Sequence, residues 1–485
     1  MHHNKDNNLD RDVRQGIPTS NAATIVSPEP DETETSVSLV LSSRGRGCKG
    51  CKKNKAYRVE TRTRRLNDLM FLIGWLEFFN ALDFPANVFN QRPVPAYAIA
   101  LMVTGGVLIL MASCVAFLDM IKGWHNLKLL RRERVHLLAE LKEAESIRGD
   151  EEALLRTLHL KAWVWVNRGE LGWELIDRAM MDCIGGFGGL LVGIGTLMAP
   201  AGANRRVFDA SNLLSGYVGN GFVAFYGLIN AGWAAYLFWQ GSQRWAAVEE
   251  HLKDPLILKR ARRCFWHHQV YAAVYGVTVI VASVGSLASA TMWYGYVILI
   301  PCIATSVFGN ILWRRRVGYN RVIFPFKPML CPNIMGEIAC VIRVQTQIRE
   351  GHHGAVLAPF SRSQLLAFIR EHDMFEDLCL ELARDPSLAK TLLRGAPERI
   401  RWDESVLLAI EYGILLRAAE TCLAKVGLRR TIDRERLLYE LLGCYHVVER
   451  DMFKAPARSA TEKSLLSRLT PGQSSLSVGH GGINE

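Results

Sequence analysis

The stretch PAYAIALMVTGGVLILMASCVAFL, residues 95–118, contains no charged side chain. A hydrocarbon layer about 30 Å thick is crossed by about 20 apolar residues in a helix, because each residue rises about 1.5 Å. Backbone placed in lipid must satisfy its own amides, so such a run is expected to fold as a membrane-crossing helix. Five further segments share this character: 69–89, 179–200, 213–239, 270–290 and 294–313. The segment 69–89 is the least regular. It contains Glu77 and Asp83 and reads either as a span or as a re-entrant or interfacial segment.

Lysine and arginine set the orientation, since they are retained on the cytoplasmic side. With six spans, the outer loops hold only Arg92, Arg205 and Arg206 of the 58 basic residues. The others gather in juxtamembrane clusters such as RVETRTRR, KLLRRER, KRARR and WRRRVGYNR. The formal charge of +11 is therefore read as positive-inside topology with cytoplasmic termini, and the same clusters suit anionic lipids. Nucleic acid is not an expected partner, because the charges are divided among membrane-proximal segments and no recognition module accompanies them. None of the 11 cysteines falls in an outer loop, so structural disulfides are not expected.

These features predict an all-α, polytopic integral membrane protein: six transmembrane helices as three hairpins, with cytoplasmic helical segments and a small helical C-terminal domain. Residues 1–65 and 456–485 are polar and expected to be disordered. Between them lie a first membrane hairpin over 66–118, a cytoplasmic helical hairpin over 119–178 with a break at Gly149-Asp150, and a glycine-rich membrane hairpin over 179–240. A basic linker helix over 241–268, a third hairpin over 269–313 and a cytoplasmic helical domain over 314–455 complete the plan. In that domain Ser361-x-x-Gln364 and Asp373-x-x-Glu376 have the spacing of capping boxes, and Thr431 opens a last helix.

The segment GGFGGLLVGIG, beginning at Gly185, is costly in an ordinary helix, at roughly 1 kcal/mol per glycine relative to alanine. In lipid, small residues let helices approach closely. Gly185, Gly189 and Gly193 share a face, and the following span offers Gly216, Gly219 and Gly227. An antiparallel hairpin would place Gly193 level with Gly219, Gly185 with Gly227 and Asp182 with Asn230, a glycine-zipper arrangement in which Asn230 and Arg178 satisfy Asp182. Gly186, Gly188 and Gly195 point elsewhere, which suggests a central helix with several neighbours or a mobile one.

Ionisable groups inside a membrane are expensive and mark functional candidates. Glu77 is the sharpest of these, as a proton- or cation-coupled carboxyl or as a neutral hydrogen-bonded one. Asp182 follows, with Arg178 one turn away. Asp83, Asn220, Asn230 and Asn310 read first as interhelical hydrogen-bonding residues. Cys48-x-x-Cys51 and Cys264-x-x-His267, with His268, are fragments short of the four ligands of a structural zinc site, and palmitoylation of the juxtamembrane cysteines is an equal reading. No nucleophile triad, paired catalytic carboxylates or phosphate loop is found, so no catalytic, cofactor or metal site is assigned. The expected function is membrane organisation or recruitment of a cytoplasmic protein partner. The alternative is a transporter or channel using Glu77 and Asp182.

Overall fold

The computed structural model describes residues 37–44, 54–59, 64–65, 82, 84, 94–147, 151–289, 292–323, 333–384, 399–402 and 404–454. Glu77 and Asp83, Cys48 and Cys51, the expected break at Gly149-Asp150 and the tail over 456–485 lie outside them, as does 69–89 apart from residues 82 and 84.

Among the described residues five helices are long and apolar enough to cross a membrane: α1 (Ala96–Ser146), α2 (Glu151–Ala201), α3 (Arg205–His251), α4 (Pro255–Ser289) and α5 (Gly295–Val317). They make the described chain predominantly helical and are compatible with a membrane location. α1 has 51 residues, about 77 Å at the standard rise. That is more than twice the thickness of a hydrocarbon layer. Residues 119–146 continue α1 and residues 151–178 belong to α2, so the two arms expected as a cytoplasmic hairpin run on into the apolar helices without a break. The expected linker helix over 241–268 is likewise divided between the end of α3 and the start of α4. The cause is local. His251 ends α3, and Asp254 caps the next helix, its Oδ1 accepting the amides of Leu256 at 2.8 Å and Ile257 at 3.1 Å, with Pro255 in the favoured first position.

The glycine segment of α2 packs along α1, α3 runs along α4, and α4 along α5. α2 widens into a π-helical stretch at Trp173–Met180, which turns Trp173, Glu174, Asp177 and Arg178 all inward. Single π turns of this kind frequently mark functional sites.

Strands appear where the sequence was read as unstructured. β1 (Val37–Arg44) pairs antiparallel with β2 (Asn54–Val59), with Leu39 opposite Val59. β3 (Arg64–Arg65) pairs with β4 (Arg321–Val322), which follows α5. The second half of the chain contributes α6 (Ile334–Arg349), α7 (His353–Leu357), α8 (Arg362–Glu371), α9 (Phe375–Leu382), β5 (Arg399–Trp402), α10 (Glu404–Leu408), α11 (Tyr412–Cys422) and α12 (Leu428–Lys454). β5 completes a three-stranded sheet in the order β2-β1-β5. Leu39 of β1 lies in a core with Trp402, Leu365, Leu378 and Leu415. On the other side α12 buries Leu438, Leu441 and Leu442 against Leu160 of α2, Val248 of α3 and Phe265 of α4.

Of the two expected capping boxes, Ser361 and Gln364 form one, the Gln364 Oε1 accepting the Ser361 amide at 2.9 Å. Asp373 does not cap. It adopts φ 55°, the left-handed region that aspartate tolerates better than most residues, and its carbonyl accepts from Arg64. Thr431 lies inside α12, bonding back to the Gly427 carbonyl at 3.0 Å, because the preceding π turn at Leu423–Gly427 carries the helix through the expected start.

Burial and the neighbouring Arg434 hold the His372 imidazole down at about 3, against an unfolded value of about 6.5. A base depressed in this way favours folding fully above pH 6.5 and loses that contribution as pH falls toward 3. From pH 6.5 to 5 the loss is about 2 kcal/mol. Asp377, pushed up to about 6 by burial, works in the opposite sense. The His372 part is therefore read as a difference. The stability gap between wild type and His372→Gln should shrink as pH falls from 7 to 5 in thermal or denaturant unfolding, and a constant gap would refute the assignment.

Candidate functional site: a buried ladder of ion pairs

Glu170, Glu174, Arg178 and Asp182 are spaced four apart along α2 and therefore share one face. Asp119, Asn126 and Glu133 face them from α1, all three buried. Two arginines enter from the short β3–β4 ladder, where Arg65 stands opposite Arg321.

Arg321 is 4 % exposed and grips two carboxylates. Its Nη1 and Nη2 donate to Glu133 at 2.7 and 2.6 Å, and its Nε and Nη2 to Glu170 at 2.9 and 2.5 Å. Asn167 also donates to Glu133, at 2.8 Å. Arg65 bridges Glu170 at 2.9 Å and Glu174 at 3.1 Å. Arg178 continues the chain from Glu174 at 3.2 Å to Asp119 at 3.2 Å. Burial alone would weaken the protonated form of both Arg65 and Arg321. The adjacent glutamates outweigh it, Glu170 and Glu174 for Arg65, Glu133 and Glu170 for Arg321, so both guanidiniums are held above their usual range. A side branch reaches α12, where Glu440 accepts from Tyr319 at 2.7 Å and from Arg244 at 2.9 Å.

The ladder ends at Asp182, which is 2 % exposed and interacts electrostatically with Asp119 and Arg178. Its Oδ2 has no hydrogen-bond partner among the described residues. Beside the ladder, Asp177 accepts from Trp233 Nε1 at 2.8 Å. Asp119, Glu133, Glu170, Glu174 and Asp182 thus outnumber Arg65, Arg178 and Arg321. Buried charges persist only when paired and hydrogen-bonded, so the arrangement is well satisfied at its strand end and least satisfied at Asp182.

Asn230 does not help Asp182. Its Nδ2 donates to Tyr226 at 3.0 Å and to Tyr275 of α4 at 2.8 Å, because this face of α3 turns to α4. Asn220 and Asn310 are buried, and neither oxygen nor nitrogen of the Asn220 amide finds a partner among the described residues. The glycine pairing is also different. A Cβ on Gly189 would meet Ser113 Oγ of α1 at 2.6 Å, and one on Gly193 would meet Leu110 of α1 at 2.9 Å. Gly185 is buried nearby. Gly195 is the one that meets α3, at the Ser215 amide. Gly219 approaches α2 at Val192 and the Gly188 carbonyl, Gly216 is buried in the same π stretch, and Gly227 abuts Ser283 of α4. The face expected to hold α3 therefore holds α1, and of the glycines that had no assigned partner Gly195 meets α3 while Gly186 lies against Phe117 of α1.

Cys264 is half-buried in the core under α12, and the described residues bring no Cys–His ligand set around it. His251, His446 and Glu449 do converge, with possible ligand atoms within 4.8 Å. The two imidazoles stack, however, 4.2 Å apart and 12° from parallel. Imidazole lone pairs lie in the ring plane, so stacked rings direct them side by side rather than onto one ion. His446 instead pairs with Glu449 at 2.8 Å.

The sequence reading missed Arg65, Asp119, Glu133, Glu170, Glu174 and Arg321. The four-residue spacing from Glu170 to Asp182 was a readable signal, whereas Arg65 and Arg321 look like any other juxtamembrane arginine. No protein family, curated protein or solved structure matches the chain.

Proposed function

We propose that the chain is a six-span integral membrane protein with cytoplasmic termini that holds a helical cytoplasmic platform in fixed relation to the bilayer, serving as a membrane-organising or partner-recruiting scaffold. The observation that carries this reading is the double grip of Arg321 and Arg65 on Glu133, Glu170 and Glu174. It ties β4, which leads into the C-terminal helices, and its partner β3 to the polar ends of α1 and α2. A hinge or shear device would leave such a junction exposed and loosely paired; here it is buried.

Transport is the second reading, favoured by the excess of acid in the ladder and the unpartnered Asp182 Oδ2. Against it, residues 96–118, 183–200, 213–239, 270–289 and 295–312 contain no Asp, Glu, Lys or Arg. Beyond Asp182 the described apolar segments offer uncharged polar groups alone.

Reconstitution separates the two. The full chain in phosphatidylcholine vesicles loaded with a pH-sensitive dye should pass protons no faster than empty vesicles under an imposed gradient. Purification in mild detergent should recover a stoichiometric protein partner that Asp182→Asn retains. Proton or cation flux abolished by Asp182→Asn would replace the scaffold reading with transport.

A further inference from the structure

The last turn of α5 is widened at Trp313–Val317, and buried Trp313 and Val317 anchor it while Arg314 and Arg315 face outward. Gly318 to Asn320 then run extended beside α12. Arg436 of α12 fixes this strip, donating to the Gly318 carbonyl at 2.5 Å and to the Arg315 carbonyl. Between the strip and α12 lies a cavity of about 440 Å³. Its polar lining includes Arg314, Arg315 and Asn320 from the strip side and Lys425, Arg429, Asp433 and Arg436 from α12 and the turn before it.

The charges in this cavity are unbalanced. Lys425 is engaged by Glu381 at 2.7 Å, but Arg315 and Arg429, both exposed, are in no ion pair among the described residues. Guanidiniums gathered in a concavity focus a positive potential, and their planar forks match the oxygens of a phosphoryl group. The volume falls within the range of small-ligand sites. A simple phosphate needs no carboxylate, yet buried Asp433 shares the wall, hydrogen-bonded to Asn320 at 3.3 Å. A carboxylate and an amide beside cations suit a ligand that carries hydroxyls as well as phosphate. Arg314 and Arg315 belong to the end of a helix long enough to cross a membrane, so the cavity opens where lipid headgroups would lie.

We propose that this cavity binds the phosphorylated polyol headgroup of an anionic membrane lipid. The inference rests on the membrane placement of α5 and not on the scaffold role, so absence of proton flux or of a protein partner leaves it standing or falling by its own test. The full chain in mild detergent is titrated against fluorescent short-chain phosphatidylinositol 4-phosphate, read by anisotropy. Saturable binding should weaken at least tenfold in the double variant Arg315→Gln, Arg429→Gln. It should change less than twofold in Lys128→Gln, Arg132→Gln, which removes two exposed charges of α1 outside the cavity. Should the double variant not fold, Arg429→Gln alone, on exposed α12 surface, should weaken binding about threefold. Equal weakening by the α1 variant assigns the effect to diffuse charge and overturns the site. Competition by soluble inositol 1,4-bisphosphate or inorganic phosphate as strong as that of the unlabelled lipid overturns the lipid source. Equal competition by short-chain phosphatidylserine overturns the polyol phosphate.

Discussion

Arg321→Met is expected to cost about 3–5 kcal/mol, the usual penalty for breaking a buried ion pair from one side. Domains of this kind have only about 5–15 kcal/mol of stability in total, so the variant should be recovered partly unfolded or with a much lowered melting point. Arg321 is buried at 4 % exposure and supplies hydrogen bonds to both Glu133 and Glu170. Removing it leaves Glu170 with Arg65 and Tyr319, while Glu133 keeps only Asn167 among the described residues. The larger loss therefore falls on Glu133, whose carboxylate would remain buried without a counter-charge. The double variant Arg321→Met, Glu133→Leu removes that orphan and places apolar groups against Leu130 and Leu137, neighbours on the same helix. It should regain at least half of the lost stability. Urea unfolding in detergent, followed by tryptophan fluorescence, measures Arg321→Met, Glu133→Leu and the double variant. Additive losses in the double variant would mean that Arg321 and Glu133 do not act as a pair.

This ladder also shows where reading a sequence reaches its limit. The five apolar helices were legible because lipid imposes a length and a composition that few other structures need. The continuation of α1 through Asp119 was less so, since the change from apolar to charged residues marks an interface with water and not the end of a helix. Arg65 and Arg321 were hidden for a different reason. Each lies in a strand of two residues whose partner comes from the opposite end of the membrane region, and no local period encodes such a pairing. β1 was masked similarly: its serines give it a disordered composition, and half of its justification is Trp402 of β5. Local periodicity puts Asp182 and Arg178 on one face of the helix, and both side chains are buried. It could not decide which neighbour that face meets, and adjacency in sequence suggested α3 where α1 takes the contact. The difference matters for function, because Asp182 faces the acidic Asp119 of α1 rather than the amide of Asn230.

Gly195→Ala provides the sharpest check on that helix arrangement and is expected to cost about 1–3 kcal/mol, the range for overpacking a filled interior. The added methyl would lie 2.7 Å from the Ser215 amide nitrogen, 2.8 Å from the Ser215 Cβ and 2.9 Å from the Ser211 carbonyl. Backbone atoms cannot swing aside as a side chain can, so α2 and α3 must separate. Separation also stretches the bond from Ser211 Oγ to the Gly195 carbonyl, now 2.7 Å. Gly189→Ala meets a softer obstacle, the Ser113 hydroxyl, which can turn away after giving up its 3.0 Å bond to the Ile109 carbonyl. Its effect should be smaller than that of Gly195→Ala and should appear as loosening between α1 and α2. Gly232, on the exposed side of α3, has nothing within 4 Å of an added Cβ. There alanine should leave stability unchanged or raise it by up to about 1 kcal/mol through helix propensity. Melting points of the three purified variants, measured in one detergent, should therefore rise from Gly195→Ala through Gly189→Ala to Gly232→Ala. If Gly195→Ala melts with Gly232→Ala, α2 and α3 do not approach at Gly195. The glycine-rich segment would then have only α1 to account for its composition, and a moving rather than a packed α2 would become the better explanation of its remaining glycines.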